Sequence, residues 1–396
     1  MPSADTAATP RLALVEAIHV RVPFRRPLLD ATGEFTHRRS WLLRVVDEQG
    51  REGLGEAAVN PVATDTTAGA LAALMREMVP ALAAGRLPSW SELAAEGEPG
   101  RAAMSAVEGA LDALKADQNA PGGVLAPIPV SAVIAFGGPE AGADAAAQAV
   151  ELGFETLKLR AGFERTTDQL VGRLRAIRAA IGPEPRLRID VAGAWDLDTA
   201  AERMAAIEPF RIEFVEQPLA ALDVTGHVAL RERVGVPVAL DESIDSEGSA
   251  RAALAEGAAD VIVVKPARVG GSAATMRIVE AAGAAGASAV LGTFYETGVG
   301  IAAVLRIAAA VRAMPAASSG RGASGGPSRP GQTGGAVEGQ LGLEPAQGLA
   351  TAGVLVHDLL RVPLPIDKGR MAVPATVELD RSEIDRYTLE RFEARG

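Results

Sequence analysis

Cysteine is absent from all 396 residues, which excludes disulfides, thiolate metal sites and a cysteine nucleophile. Any metal must therefore be held by oxygen or imidazole. Imidazole is itself scarce. The four histidines, His19, His37, His227 and His357, stand apart with no His-x-x-x-His pair among them, so histidine-based hydrolysis is disfavoured. Basic charge is in deficit: the formal net charge is -11, and nucleic acid is set aside as a partner because phosphate recognition needs clustered Lys and Arg. No uninterrupted apolar run reaches membrane-spanning length, and the first ten residues lack the apolar stretch of a leader. The expectation is a cytoplasmic protein with no membrane partner.

What is present suffices for a core. Hydrophobic residues make up 48% and charged residues 22%, and the length calls for a large barrel or two domains. Residues 12–22 and 41–47 read as strands, and 68–84 and 102–116 as apolar helices, a small α+β unit expected to span 1–125. Beyond a Pro- and Gly-bearing linker at 121–127 the pattern changes. Short apolar runs at 129–136, 156–160, 187–191, 212–215, 236–240, 261–264 and 289–292 alternate with Ala-rich helical stretches, the signature of a parallel sheet. An eighth strand is expected near 348–355. The segment 316–339, rich in Ser, Gly, Pro and Arg, reads as a low-complexity insertion expected to be mobile. Residues 370–387 read as extended structure and a turn, within a C-terminal stretch, 366–396, that returns to the N-terminal unit.

Spacing decides between fold classes. Asp190, Glu216, Asp241 and Lys265 close successive runs at intervals of 26, 25 and 24 residues, one strand plus one helix each time. That regularity predicts an α/β fold, a barrel of βα units occupying 126–365, with these side chains at the C-terminal strand ends. A doubly wound sheet would carry a Gly-rich phosphate loop after its first strand, and 130–139 has none. Asp190, Glu216 and Asp241 on adjacent strand ends form an oxygen donor set suited to Mg²⁺ or Mn²⁺. Singly, each acid reads as an exposed strand-end residue or ion-pair partner; together, three like charges call for a cation. Lys265 follows an apolar run that would hold its stem in the barrel. It reads as a base near the metal or as a lysine neutralising the acids.

These motifs, with Lys158-Leu-Arg160 on the second strand and Phe294-Tyr295-Glu296-Thr297-Gly298-Val299-Gly300 after the seventh, resemble the muconate-lactonizing subgroup of the enolase superfamily over nearly the whole chain. The resemblance implies a (β/α)7β barrel under an N-terminal capping domain, Mg²⁺ on Asp190, Glu216 and Asp241, and enolate formation from a small-molecule carboxylate. It implies catalytic roles for Lys158, Arg160 and Lys265, substrate contacts from Arg160, Thr32, Glu296, Thr297 and Gly298, and a homo-oligomer. Arg160 stands where the family has a second lysine, and a guanidinium stays protonated. The reaction implied first is dehydration of the o-succinylbenzoate synthase kind, in menaquinone biosynthesis. The alternatives are N-acylamino acid racemisation, dipeptide epimerisation or muconate-type cycloisomerisation, and, from another class, a non-catalytic paralogue binding metal and a carboxylate.

Overall fold

The computed structural model describes residues 11–30, 33–87, 89–119, 125–135, 137–314 and 345–396. Thr32, the insertion 316–339 and residues 121–124 of the linker lie outside the described residues. No helix among those described is long and apolar enough to cross a membrane.

The chain begins with β1 (Leu12–Asp30), β2 (Gly33–Asp47) and β3 (Glu52–Ala57), followed by α1 (Asp65–Ala83), α2 (Trp90–Ala95) and α3 (Glu98–Asn119). After β4 (Ile128–Pro129) come seven strand-helix steps. They run β5 (Ala132–Ile134), α4 (Pro139–Glu151), β6 (Thr156–Arg160), α5 (Thr167–Ile181), β7 (Arg186–Asp190), α6 (Leu197–Ile207), β8 (Ile212–Glu216) and α7 (Val224–Arg233). They continue through β9 (Val238–Leu240), α8 (Glu247–Ala255), β10 (Val261–Val264), α9 (Pro266–Val269), α10 (Ser272–Ala284), β11 (Ser288–Leu291) and α11 (Gly298–Ala313). The C-terminal stretch holds β12 (Ile366–Asp367), β13 (Arg370–Met371), α12 (Arg381–Tyr387) and β14 (Thr388–Arg395).

Strands β5 to β11 form one parallel sheet in sequence order, flanked by the helices between them. The helices start where the sequence supplies oxygen caps: Thr166, Asp196, Asp223, Ser246 and Thr297 each accept a backbone N–H of the first turn. The sheet curls until its two ends meet one short segment. Val130, just ahead of β5, pairs with Gln347, and Gly292, just after β11, pairs with Gly348. The Gln347 carboxamide stitches the seam by accepting from Leu291 N at 2.6 Å. The result is a barrel-like α/β fold whose main core lies between the sheet and its outer helices.

Two expectations need correcting. Residues 348–355 do not form a full eighth strand: single bridges at Gln347 and Gly348 give way to a 3-10 turn at Ala352–Val354. Small residues there leave little side chain to hold a strand. The stretch 370–387 is also not all extended, since Asp380 caps α12 by accepting from Ser382 N and Glu383 N.

The N-terminal strands form an antiparallel sheet in the order β14-β1-β2-β3, so the chain's last strand pairs with its first. Over much of β1 and β2 both faces are buried, successive side chains alternating between them, whereas β14 leaves one face exposed. Val15, Ala17, Trp41 and Leu43 face α1 and α3, while Ile18, Val20, Val22 and Leu42 pack on Val299, Leu355 and Leu360. Glycine makes the close helix contact possible. A Cβ on Gly55 would stand 1.9 Å from Ala106 O of α3. The second face presses the sheet onto the start of α11, beside the barrel mouth.

Candidate active site

Side chains alternate along each barrel strand, so Lys158 and Arg160 share a face of β6, and Asp190 ends the matching face of β7. Glu216 ends β8, Asp241 follows β9 and Lys265 follows β10. The three acids are buried, at 3%, 2% and 2% exposure, so their partners set their charge. Lys158 Nζ lies 2.9 Å from Asp190 Oδ2 and 2.7 Å from Glu216 Oε1. Arg160 Nη1 donates to Asp190 Oδ2 at 2.5 Å. Lys265 Nζ donates to Asp241 Oδ2 at 2.5 Å, and Arg268 Nη1 to Asp241 Oδ1 at 2.7 Å and to its carbonyl at 2.8 Å.

Six of the residues singled out by sequence are thus together: Lys158, Arg160, Asp190, Glu216, Asp241 and Lys265. The charge argument for a metal needs revision, because four side-chain cations already offset the acids. Among the described residues no three acids are drawn into a ready metal cage. What still fits a divalent cation is the donor chemistry. The set is all oxygen, and Asp190 Oδ1 is buried without any hydrogen-bond partner.

Electrostatics divide the acids. Burial opposes ionisation of all three, but Lys158 and Arg160 hold Asp190 below the usual carboxylate range, and Lys265 and Arg268 do the same for Asp241. Glu216 moves the other way. Burial, together with repulsion from Asp190 and Asp241, outweighs Lys158 and pushes it up. Burial likewise raises Glu242, whose Oε2 is sealed and unpartnered. Lys158 and Arg160 lose hydration on burial, yet the surrounding carboxylates keep both pKa values above normal.

Backbone strain concentrates at the same rim. Ala192, Gln217 and Tyr295 take φ of 50°, 43° and 62°, left-handed values that side chains usually avoid. At Gln217 the reason is visible: its Oε1 accepts from Asp241 N at 2.9 Å and Ser243 N at 3.2 Å, while Nε2 donates to Leu219 O and Ser243 Oγ. One buried carboxamide thereby ties the end of β8 to the turn that presents Asp241.

The predicted contacts Glu296, Thr297 and Gly298 are not brought to this cluster. Thr32 lies outside the described residues. The Thr297 side chain and backbone donate to Glu56 of β3, and Gly298 N donates to Asp358 O. Glu296 turns back onto Phe294 N and faces Arg38 and Glu56. The reason is the left-handed Tyr295, which reverses the chain so that Phe294 and Tyr295 face the cluster and Glu296 faces away. Phe294 lies under Lys265 Nζ at 5.1 Å and Arg268 at 4.6 Å. Tyr295 sits within the fields of Arg160, Asp190 and Lys158. Sequence reasoning quoted Phe294 and Tyr295 in a motif without giving them a role and missed Glu242 and Arg268, although Arg268 lies one helical turn beyond Lys265.

Burial pushes the Glu296 carboxyl up to about 7. The folded protein therefore holds a proton there that an unfolded chain has released, and this burden on stability grows between about pH 4.5 and 7. Glu296→Gln is expected to raise the melting temperature above wild type at about pH 8, with the gain vanishing below about pH 4.5. Equal gains at both pH values in thermal melts would refute this.

The sequence of strand-end groups, closed by a curled parallel sheet, matches a known family. Residues 141–377 match the model described as enolase C-terminal domain-like. The chain belongs to that family. Like its relatives it is an enzyme of the enolase superfamily. The o-succinylbenzoate synthase of Thermobifida fusca (strain YX) is 41% identical over 191 residues, 48% of this chain and 57% of that protein, so the match spans little more than half the relative's length. The N-succinylamino acid racemase of Amycolatopsis sp is 32% identical over 312 residues, 75% of this chain and 83% of that protein. In fold, the muconate lactonizing enzyme from Pseudomonas fluorescens, solved with muconolactone, superposes with a TM-score of 0.75 at 23% identity, covering 96% of this chain and 100% of that one.

Proposed function

We propose that this family member is a Mg²⁺-dependent lyase of the o-succinylbenzoate synthase type, dehydrating a cyclohexadiene carboxylate precursor in menaquinone biosynthesis. The observation carrying this reading is the asymmetry of the site's two flanks. Lys265 on one flank can exchange a proton, whereas Arg160 on the other stays a cation. A syn-elimination needs only one such group.

Asp190, Glu216 and Asp241 would hold the metal, and Mn²⁺ would suit the same oxygens. Bound there, the ion would supply positive charge for a substrate carboxylate whose α-carbon loses its proton. Lys265, an ammonium in its ion pair with Asp241, first releases a proton to solvent, and the neutral amine then takes the α-proton as the C–H bond breaks. It then passes the proton to the departing β-hydroxyl, which leaves as water while the double bond forms. Arg160 donates hydrogen bonds to the substrate from the opposite flank, and Lys158 stays protonated as a fixed charge between Asp190 and Glu216.

The same reading assigns 126–365 to a (β/α)7β barrel, 1–125 to a capping domain and 366–396 to a segment returning to it, in a cytoplasmic homo-oligomer. Its test is turnover of the cyclohexadiene precursor by pure protein with Mg²⁺. No aromatic product at high enzyme concentration would sink it.

A second reading is favoured by coverage. An L-Ala-D/L-Glu epimerase, an N-succinylamino acid racemase and chloromuconate cycloisomerases align over 74–77% of the chain, against 48% for the synthase and 43% for a hydrophobic dipeptide epimerase. Deuterium exchange at the α-carbon separates the two: exchange with retention marks one working base, racemisation two. Arg160 itself favours a third, a paralogue that binds metal and carboxylate without turnover. Measurable turnover of either substrate class by wild type excludes it.

A further inference from the structure

Outside the barrel mouth, α3, α10 and α11 enclose a cavity of about 580 Å³, within the range of small-molecule sites. Its walls are mostly apolar, with Met276 from α10, Ile307 and Ala310 from α11, and Leu125. Five ionisable groups interrupt them: Asp112 and Lys115 from α3, Arg306 from α11, and Glu56 and Glu296, whose carboxyls are turned onto the N–H groups of Thr297 and Gly300 and of Phe294.

Arg306 is the anomaly. Its Nη1 and Nη2 are sealed from water and have no hydrogen-bond partner. Burial lowers its pKa to about 10, partly offset by the field of Asp112. Asp112 is already engaged, accepting from Ser272 Oγ at 2.6 Å and lying 3.6 Å from Lys115 Nζ. Among the other buried arginines, Arg38 and Arg203 each reach a backbone carbonyl, of Val59 and Glu164. Arg173, Arg188 and Arg268 each meet a carboxylate, on Glu164, Glu213 and Asp241. A buried guanidinium left unpaired is costly, and the anion that would relieve it has a cavity beside it.

We propose that this cavity binds a small carboxylate carrying an apolar body, with Arg306 taking the carboxylate and the helix walls taking the body. As a whole Arg306 is only partly buried, its stem lining the cavity, so rotation about its last torsions presents the guanidinium fork to an occupant. Asp112, Glu56 and the apolar walls reject a second negative charge, which restricts the class to monoanions. The site lies apart from the carboxylate cluster. Pro266 and Ala267, which follow Lys265, form part of its inner wall.

The test is calorimetric titration of the whole protein with octanoate and with 1-octanol. Octanoate is expected to bind about ten-fold more tightly than the alcohol, as one charge-assisted bond dictates. Arg306→Met is expected to remove that preference while raising the melting temperature, because an unpaired buried charge is gone. Ala310→Phe, at the exposed rim of the same wall, is expected to abolish octanoate binding by filling the space. Octanoate binding in the Lys265→Ala variant is expected to match wild type. No octanoate binding up to about 10 mM, equal affinity in wild type and Arg306→Met, or loss only in Lys265→Ala would each overturn the proposal.

Discussion

Lys265→Ala is expected to lower turnover by roughly 10²- to 10⁴-fold, the usual cost of removing a positioned acid-base group. The lysine follows β10, whose four residues are all buried, and starts α9, so its stem rises from the packed barrel wall while Nζ reaches the cluster 2.5 Å from Asp241. Phe294 flanks it and limits where the ammonium can go. Truncation should spare the fold, because Asp241 keeps both bonds from Arg268 Nη1, to its Oδ1 and its carbonyl. Magnesium affinity, measured calorimetrically on the same variant, should therefore change far less than turnover. A variant that keeps a third or more of wild-type turnover removes Lys265 from the chemistry.

Arg160→Lys carries the second large effect. The guanidinium donates to Asp190 Oδ2 at 2.5 Å, and the surrounding carboxylates keep its pKa above normal, so the wild-type group holds its proton throughout the accessible pH range. A lysine on the same face of β6 would place a removable proton opposite Lys265. We expect solvent deuterium to appear at the α-carbon on a second face, with racemisation of N-acylamino acids rising by about 10²-fold or more. Mass spectrometry and chiral chromatography read the two effects separately. If exchange stays confined to one face, position 160 does not approach the α-carbon, and the argument from asymmetry fails.

The strand ends were legible because the physics is local. Runs of β-branched and aliphatic residues form buried parallel strands, and the acid or base that ends each run stands at the C-terminal edge. Observed strands such as Thr156–Arg160 and Val261–Val264 coincide with the runs read from sequence. The seam at Gln347 was not legible, since it is made of single bridges and one side-chain amide rather than a strand. Nor was the helix Arg381–Tyr387, too short for its periodicity to speak, although Asp380 was there to cap it.

At the site the division is sharper. The family resemblance implied substrate contacts from Glu296 and Thr297, yet the left-handed Tyr295 turns Glu296 away and Thr297 bonds Glu56 from a strand about 240 residues earlier. Arg268 and Gln217 gain meaning only through their grip on Asp241 and its turn. Arg306 shows the converse, a charge whose missing partner becomes visible only once three helices have closed around it.

By itself, then, the sequence determined the repeating strand-helix frame, the family, and which acids and lysine end its strands, because periodicity and burial act over a few neighbouring residues. Only the tertiary structure decided which cation meets which acid, that four side-chain cations already balance them, and which way the chain turns after the seventh strand. Those outcomes depend on distances between segments far apart in the chain. Coulomb forces in a dry interior change greatly over an ångström or two that no local pattern encodes.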